Sequence, residues 1–138
     1  MMIHNAPSSN TIRSWCLEAL ALATRSKCPR SAVGAILVDP ERKVTVCQGY
    51  NGTYRKGPPK CGGDHCLRTS LGIASGEKCE IGCVHAEINL LANASYLGIA
   101  TRGRWVVVTR EPCGSCEKAL VSAGVERVIV TEEELRNE

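Results

Sequence analysis

The residues best suited to chemistry lie in two short motifs, His85-Ala86-Glu87 and Pro112-Cys113-Gly114-Ser115-Cys116. One imidazole and two thiolates make three zinc ligands. Three protein ligands leave the fourth tetrahedral position open to water, which marks a catalytic zinc site rather than a closed structural one. The Cys-x-x-Cys spacing covers about one helical turn, so the sulfurs of Cys113 and Cys116 reach a single ion. A zinc ion held there would lower the pKa of its water towards about 7. Glu87, two residues beyond the histidine, is poorly placed as a ligand and well placed to carry protons. Each motif alone has a plain alternative. His-x-Glu at a helix start commonly caps the helix or lies at the surface, and a lone Cys-x-x-Cys serves as a redox pair or half of a structural zinc site. Together, each opening an expected helix, they favour the catalytic centre.

The elements that must position these side chains follow from periodicity. Residues 11–26 carry Ile12, Trp15, Cys16, Ala19, Leu20 and Ala23 at helical spacing, with Asn10 as the N-cap. Residues 32–38 (AVGAILV) form a buried strand, Asp39-Pro40-Glu41 a turn, and residues 44–49 a second strand. From 50 to 83 Gly, Pro and Cys dominate and periodicity fades. A stretch that long needs a function or a staple in a compact domain, and Cys61, Cys66, Cys79 and Cys83 offer one. Residues 85–97 form a helix with Ile88, Leu91, Ala92 and Ser95 expected on its apolar face. A strand at 104–109, a helix at 113–123 ending near Gly124 and a strand at 126–131 complete the pattern, and the acidic run after it either begins a helix or frays. This order gives a sheet with helices on its faces. Both motifs then open helices, whose positive dipole ends favour the deprotonated sulfur.

Composition bounds the rest. The 138 residues allow one domain, 1–138, and one core. Hydrophobic residues at 43% and charged residues at 22% are ordinary for a globular chain. No apolar run reaches membrane-spanning length, and the first ten residues lack a signal-peptide pattern, so no membrane partner and a cytoplasmic location are expected. Nine cysteines without a secretory signal point to metal rather than disulfides. A net charge of +3, without a basic cluster and with aromatics at only 4%, argues against a nucleic-acid partner. Cys16 and Cys47 are expected as buried small hydrophobes, and Tyr50, Tyr54 and Tyr96 as packing residues more than base platforms.

His-x-Glu followed by Pro-Cys-x-x-Cys is the signature of zinc-dependent base deaminases, and the likeness extends further. Ser26-Lys27-Cys28-Pro29-Arg30, Val33-Gly34-Ala35-Ile36, Gly49-Tyr50-Asn51-Gly52, His65-Cys66 and Cys83-Val84-His85-Ala86-Glu87-Ile88-Asn89 stand in the order seen in deoxycytidylate (dCMP) deaminases. From about residue 11 to 130 the chain resembles that family. The resemblance implies a cytidine deaminase-like fold, a three-layer α/β/α sandwich with a mixed sheet. It implies hydrolysis of dCMP to dUMP and ammonia, a small-molecule nucleotide substrate and a homo-oligomer. It further implies His85, Cys113 and Cys116 as zinc ligands, Glu87 as the catalytic proton carrier, Asn51 as a sugar contact and the Ala86 N–H as a reader of the pyrimidine edge. Phage members carry a second, structural zinc. Its ligands map onto Cys28, Cys66, Cys79 and Cys83, with Cys61 and His65 as competing ligands, making 51–84 a zinc-stapled insertion loop. The plain alternative is that several of these cysteines are buried small hydrophobes, and cysteine count and loop length favour the zinc.

Three departures from the family pattern bear on the substrate. The family's phosphate-contacting arginine sits near the position of Tyr96, whereas this helix holds no Arg or Lys before Arg102. Phosphate recognition is then expected from Arg55, Lys56 or Lys60, or from a neighbouring subunit. Glu111 before Pro112-Cys113 is more familiar from tRNA adenosine deaminases and the riboflavin-pathway deaminase. The chain also stops soon after Val130, where relatives add a strand and a helix. Alternatives to dCMP are a nucleoside, a modified cytosine nucleotide or a base within nucleic acid. A non-catalytic, zinc-stabilised binding module is the remaining alternative, and Glu87 speaks against it, because a purely structural site has no use for that carboxylate.

Overall fold

In the computed structural model, residues 5–54, 56, 66–72 and 83–136 are described. Their elements run α1 (Ser9–Ala23), β1 (Gly34–Asp39), β2 (Val44–Tyr50), β3 (Gly52–Thr53), α2 (Leu67–Ser70), β4 (Cys83–Val84), α3 (Ala86–Leu97), β5 (Trp105–Val108), α4 (Gly114–Ser122), β6 (Arg127–Val130) and α5 (Thr131–Arg136). Four strands make one sheet in the order β2-β1-β5-β6. β1 is antiparallel to both β2 and β5, while β5 and β6 are parallel, so the sheet is mixed. The β1–β2 connection is the turn expected from Asp-Pro: Asp39 Oδ1 accepts from the N–H groups of Glu41 and Arg42, both at 3.0 Å. β3 and β4 pair with each other, Thr53 opposite Cys83, which brings the two ends of the long cysteine-bearing segment together.

Alternation along the strands assigns the layers, because successive side chains leave opposite faces of a sheet. Ala35 and Leu37 of β1 and Val106 and Val108 of β5 join Ala86, Leu90 and Ala94 of α3 and Leu120 of α4 in one core. Ile36, Val38, Trp105 and Val107 join Trp15, Cys16, Ala19 and Leu22 of α1 in the other, with Leu135 of α5 against it. The result is an α/β/α sandwich: α3 and α4 on one face, α1 and α5 on the other. Both central strands are buried on both faces, which is why β5 reads as the unbroken run WVVV.

Several local features depart from the sequence expectation. α1 begins earlier, capped by Ser8 rather than Asn10, with the Ser8 hydroxyl accepting from Thr11 N–H. Leu22 replaces Leu20 on its buried stripe, and Leu20 is 40% exposed. Residue 20 sits roughly 90° from the centre of that stripe on a 3.6-residue helix. The buried face of α3 is Ala86, Glu87, Leu90 and Ala94, rotated by roughly 135° from Ile88, Leu91, Ala92 and Ser95. Glu87 lies on this buried face, and a carboxylate there removes the polarity contrast from which an apolar face is read. The segment after β6 is helical: α5 follows directly at Thr131.

Two glycines allow helices to approach the sheet backbone to backbone. A Cβ at Gly49 in β2 would lie 2.4 Å from Leu90 N and 2.7 Å from Ala86 O of α3. A Cβ at Gly34 in β1 would lie 2.4 Å from Ala19 O of α1. The first contact matters for the site, because α3 carries it.

Candidate metal centre

Neither α3 nor α4 is capped in the ordinary way. Their N-cap residues are His85 and Cys113, in extended conformation, and neither side chain makes a capping hydrogen bond. Ser, Thr, Asp or Asn usually occupies this position and satisfies the orphan N–H groups of the first turn. Here the two side chains turn instead towards each other. His85 Nδ1 lies 3.6 Å from Cys113 Sγ and 3.3 Å from Cys116 Sγ, and the three ligand atoms all fall within 4.8 Å of one another. Zinc bonds of about 2.0–2.1 Å to nitrogen and 2.3 Å to sulfur, at tetrahedral angles, set N and S about 3.5 Å apart. The donor set therefore fits zinc in type and in spacing. Among the described residues it is the one group of His, Cys, Asp or Glu side chains this close.

The triad is asymmetric. Cys116 is buried, whereas His85 and Cys113 are exposed, so the cluster opens to one side. Glu87 stands behind it, only 4% exposed. Burial raises its carboxyl above the ordinary carboxylate range, opposed by its backbone hydrogen bond, by His85 and by a hydrogen bond to Cys116. Burial, followed by the Glu87 charge, also pushes the Cys116 thiol well up. A carboxyl and two thiols thus crowd one partly desolvated spot. A divalent cation inverts that situation, because a coordinating thiol is deprotonated outright.

Beneath the site, α3 is fastened to the outer edge of β2. Asn89 Nδ2 donates to Tyr50 O at 2.9 Å, and Asn93 Nδ2 donates to Gln48 O at 2.8 Å. Two amides one helical turn apart thereby satisfy alternate outward carbonyls of an edge strand, which would otherwise invite pairing. Sequence reading missed this pair and the Gly49 approach. A glycine inside a strand pattern, followed by Asn at i and i+4 on the next long helix, was the available signal.

The other expected site residues divide. Ala86 is buried at the first position of α3. Asn51 lies at the end of β2 with its amide engaged twice: Oδ1 accepts from Val33 N at 2.8 Å and Nδ2 donates to Ser31 O at 2.7 Å. Cys28 and Cys83 are half-buried and Cys66 is buried. Cys61, His65, Cys79, Arg55 and Lys60 lie outside the described residues, while Lys56 is exposed with a left-handed φ of 65°. Cys16 and Cys47 are buried, as expected. No helix among the described residues is long and apolar enough to cross a membrane.

Comparison with known proteins agrees with this geometry. Residues 9–132 match the family described as the cytidine and deoxycytidylate deaminase zinc-binding region. The deoxycytidylate deaminase of Mycobacterium phage D29 is 36% identical over 123 residues, covering 83% of this chain and 89% of that one. ComE operon protein 2 of Bacillus subtilis is 34% identical over 119 residues, covering 81% of this chain and 54% of the relative, so this chain spans about half the length of that protein. Among solved structures, the dCMP deaminase of cyanophage S-TIM5 in complex with dCMP and dUMP superposes with a TM-score of 0.68 at 25% identity, over 88% of this chain and 81% of that one.

Proposed function

This chain belongs to the cytidine and deoxycytidylate deaminase family, and on that premise we propose that it hydrolyses the exocyclic amine of a cytosine nucleotide, converting dCMP and water to dUMP and ammonia. The observation that carries this reading is the His85, Cys113 and Cys116 triangle with the buried Glu87 carboxyl beside it. His85 Nδ1 and the two sulfurs would hold zinc, which when bound supplies Lewis acidity that activates water at neutral pH. Glu87 accepts a proton from the water that adds to C4 and passes it to N3 of the ring. It then takes the proton of the new C4 hydroxyl and delivers it to the departing amine, so that the C4–N bond breaks, C4 becomes a carbonyl and ammonia leaves. Its burial suits that cycle, because a raised pKa lets the carboxyl hold a proton as well as release one. The Ala86 N–H, an orphan donor at the start of α3, reads the pyrimidine edge, and Asn51 contacts the sugar with the hydrogen-bonding capacity left over from Ser31 and Val33. A homo-oligomer in the cytoplasm fits a family of nucleotide enzymes.

The same reading treats 1–138 as one zinc-dependent domain in which 51–84 is an insertion stapled by a second, structural zinc on Cys28, Cys66, Cys79 and Cys83. The β3–β4 ladder supports it, since it brings both ends of the insertion together beside Cys83. The deciding experiment is a substrate panel of cytidine, deoxycytidine, dCMP, dCTP and a single-stranded oligonucleotide, followed by ultraviolet absorbance and ammonia release. Preferred turnover of dCMP is the expected result. Turnover of another member with dCMP inert would overturn the substrate assignment, and no turnover with zinc bound would overturn the reaction.

A further inference from the structure

A closed circuit of contacts runs from the metal centre through Arg110 and back along the chain to Cys113. Cys113 Sγ faces His85 Nδ1 at 3.6 Å. His85 O accepts from Asn89 N–H at 2.9 Å, and Asn89 Nδ2 donates to Tyr50 O. The next residue, Asn51, donates from Nδ2 to Ser31 O. The Ser31 hydroxyl in turn accepts from Arg110 Nη1 at 2.6 Å. Arg110 precedes Cys113 by three residues, which keeps their Cα atoms within about 11 Å of each other.

Among the described residues, Arg110 is the cation hydrogen-bonded into this circuit, while Arg25 touches it only by stacking on the Tyr50 ring at 5.0 Å. Its side chain is exposed, and among the described residues its partner is a neutral hydroxyl rather than a carboxylate. An exposed arginine is ordinarily a solvated side chain. This one is held by a contact between residues 79 positions apart. The segment carrying Ser31 is itself fixed, by both ends of the Asn51 amide and by Ser26 Oγ donating to Asn51 O at 2.8 Å. A guanidinium has five N–H donors in a rigid fork, and one contact to Ser31 leaves most of them available. The Ser31 hydroxyl, accepting from arginine, keeps its own proton to donate. A guanidinium fork beside a hydroxyl donor is the arrangement that recognises a tetrahedral oxyanion. α3, meanwhile, offers no cation.

We propose that Arg110, seated on the Ser31 hydroxyl, grips the phosphate of the nucleotide and sets the preference for a nucleotide over its nucleoside. This deepens the deaminase reading and rests on it. The test compares kcat/KM for dCMP and 2′-deoxycytidine in the zinc-loaded wild type and in the Arg110→Ala, Arg110→Lys and Ser31→Ala variants. Charge-assisted hydrogen bonds of ordinary strength predict that Arg110→Ala shrinks the dCMP-to-deoxycytidine ratio by about 10- to 100-fold. Arg110→Lys recovers part of it, keeping the charge but losing the fork. Ser31→Ala loses less than Arg110→Ala. The ratio cancels any general loss of folded enzyme, which melting temperature and zinc content report separately. An unchanged ratio in Arg110→Ala overturns the assignment while leaving the reaction intact, and so does a wild type with no preference for dCMP. A wild type that deaminates neither compound overturns the reaction and this inference together.

Discussion

Gly49→Ala tests how the fold transmits packing to chemistry. The added methyl would sit 2.4 Å from Leu90 N and 2.7 Å from Ala86 O, where ordinary contact begins at 3.4 Å. Both neighbours are backbone atoms, so no rotamer change relieves the clash. The start of α3 must retreat from β2 by about 1 Å, the difference between those two distances. Overpacking of this kind costs about 1–3 kcal/mol, and a backbone obstacle puts it near the upper end. An unfolding entropy of about 2.1 cal/mol/K per residue gives about 0.3 kcal/mol/K for this chain, so Tm should fall by roughly 10 °C. The same retreat moves His85 and Glu87 away from Cys113 and Cys116, whereas metal–ligand distances tolerate only about 0.2 Å. Zinc occupancy should therefore drop, and a misplacement on this scale is expected to cost turnover about 10²-fold. Gly34→Ala is the control. Its methyl meets Ala19 O at the same 2.4 Å, but α1 carries none of the metal-centre residues. It should lose comparable stability and keep its zinc. Calorimetry, zinc analysis and dCMP turnover measured well below each Tm would decide. Wild-type values for Gly49→Ala would refute the close docking of α3, and equal zinc loss in both variants would refute its role as the transmitting element.

Glu87→Gln should retain zinc and lose about 10²- to 10⁴-fold in kcat, the usual share of general acid–base catalysis, as read by ammonia release. In the metal-free protein the same substitution should raise Tm at neutral pH. Burial raises the Glu87 pKa above its unfolded value, so its contribution is fully present below the unfolded carboxylate pKa of about 4.3 and fades as pH rises through the folded value. The variant and wild type should therefore converge in acid, and divergence there would refute the sign. Zinc analysis of the full chain should find two ions, falling to one in Cys83→Ser; a single ion in the wild type removes the structural site. Asn93→Ala should cost about 1 kcal/mol in urea unfolding by leaving Gln48 O without its amide donor, and an unchanged midpoint would show that water replaces the amide freely.

The sequence by itself determined the ligand types, their one-turn spacing in Cys113 and Cys116, the order of the main elements and the doubly buried strands. These are local properties: residue chemistry is written in the letters, and periods of 2 and 3.6 report strand and helix within a dozen residues. The tertiary structure decided everything that depends on register and packing. It brought His85 within 3.6 Å of a sulfur 28 positions away, chose Nδ1 over Nε2 and spent both helix caps on the metal site. It buried Glu87, inverting the face expected for α3, because a functional carboxylate on a buried stripe erases the polarity contrast that periodicity reads. It joined Arg110 to Ser31, 79 positions away, a proximity no local pattern encodes, since it follows from β1 lying beside β5 in the sheet.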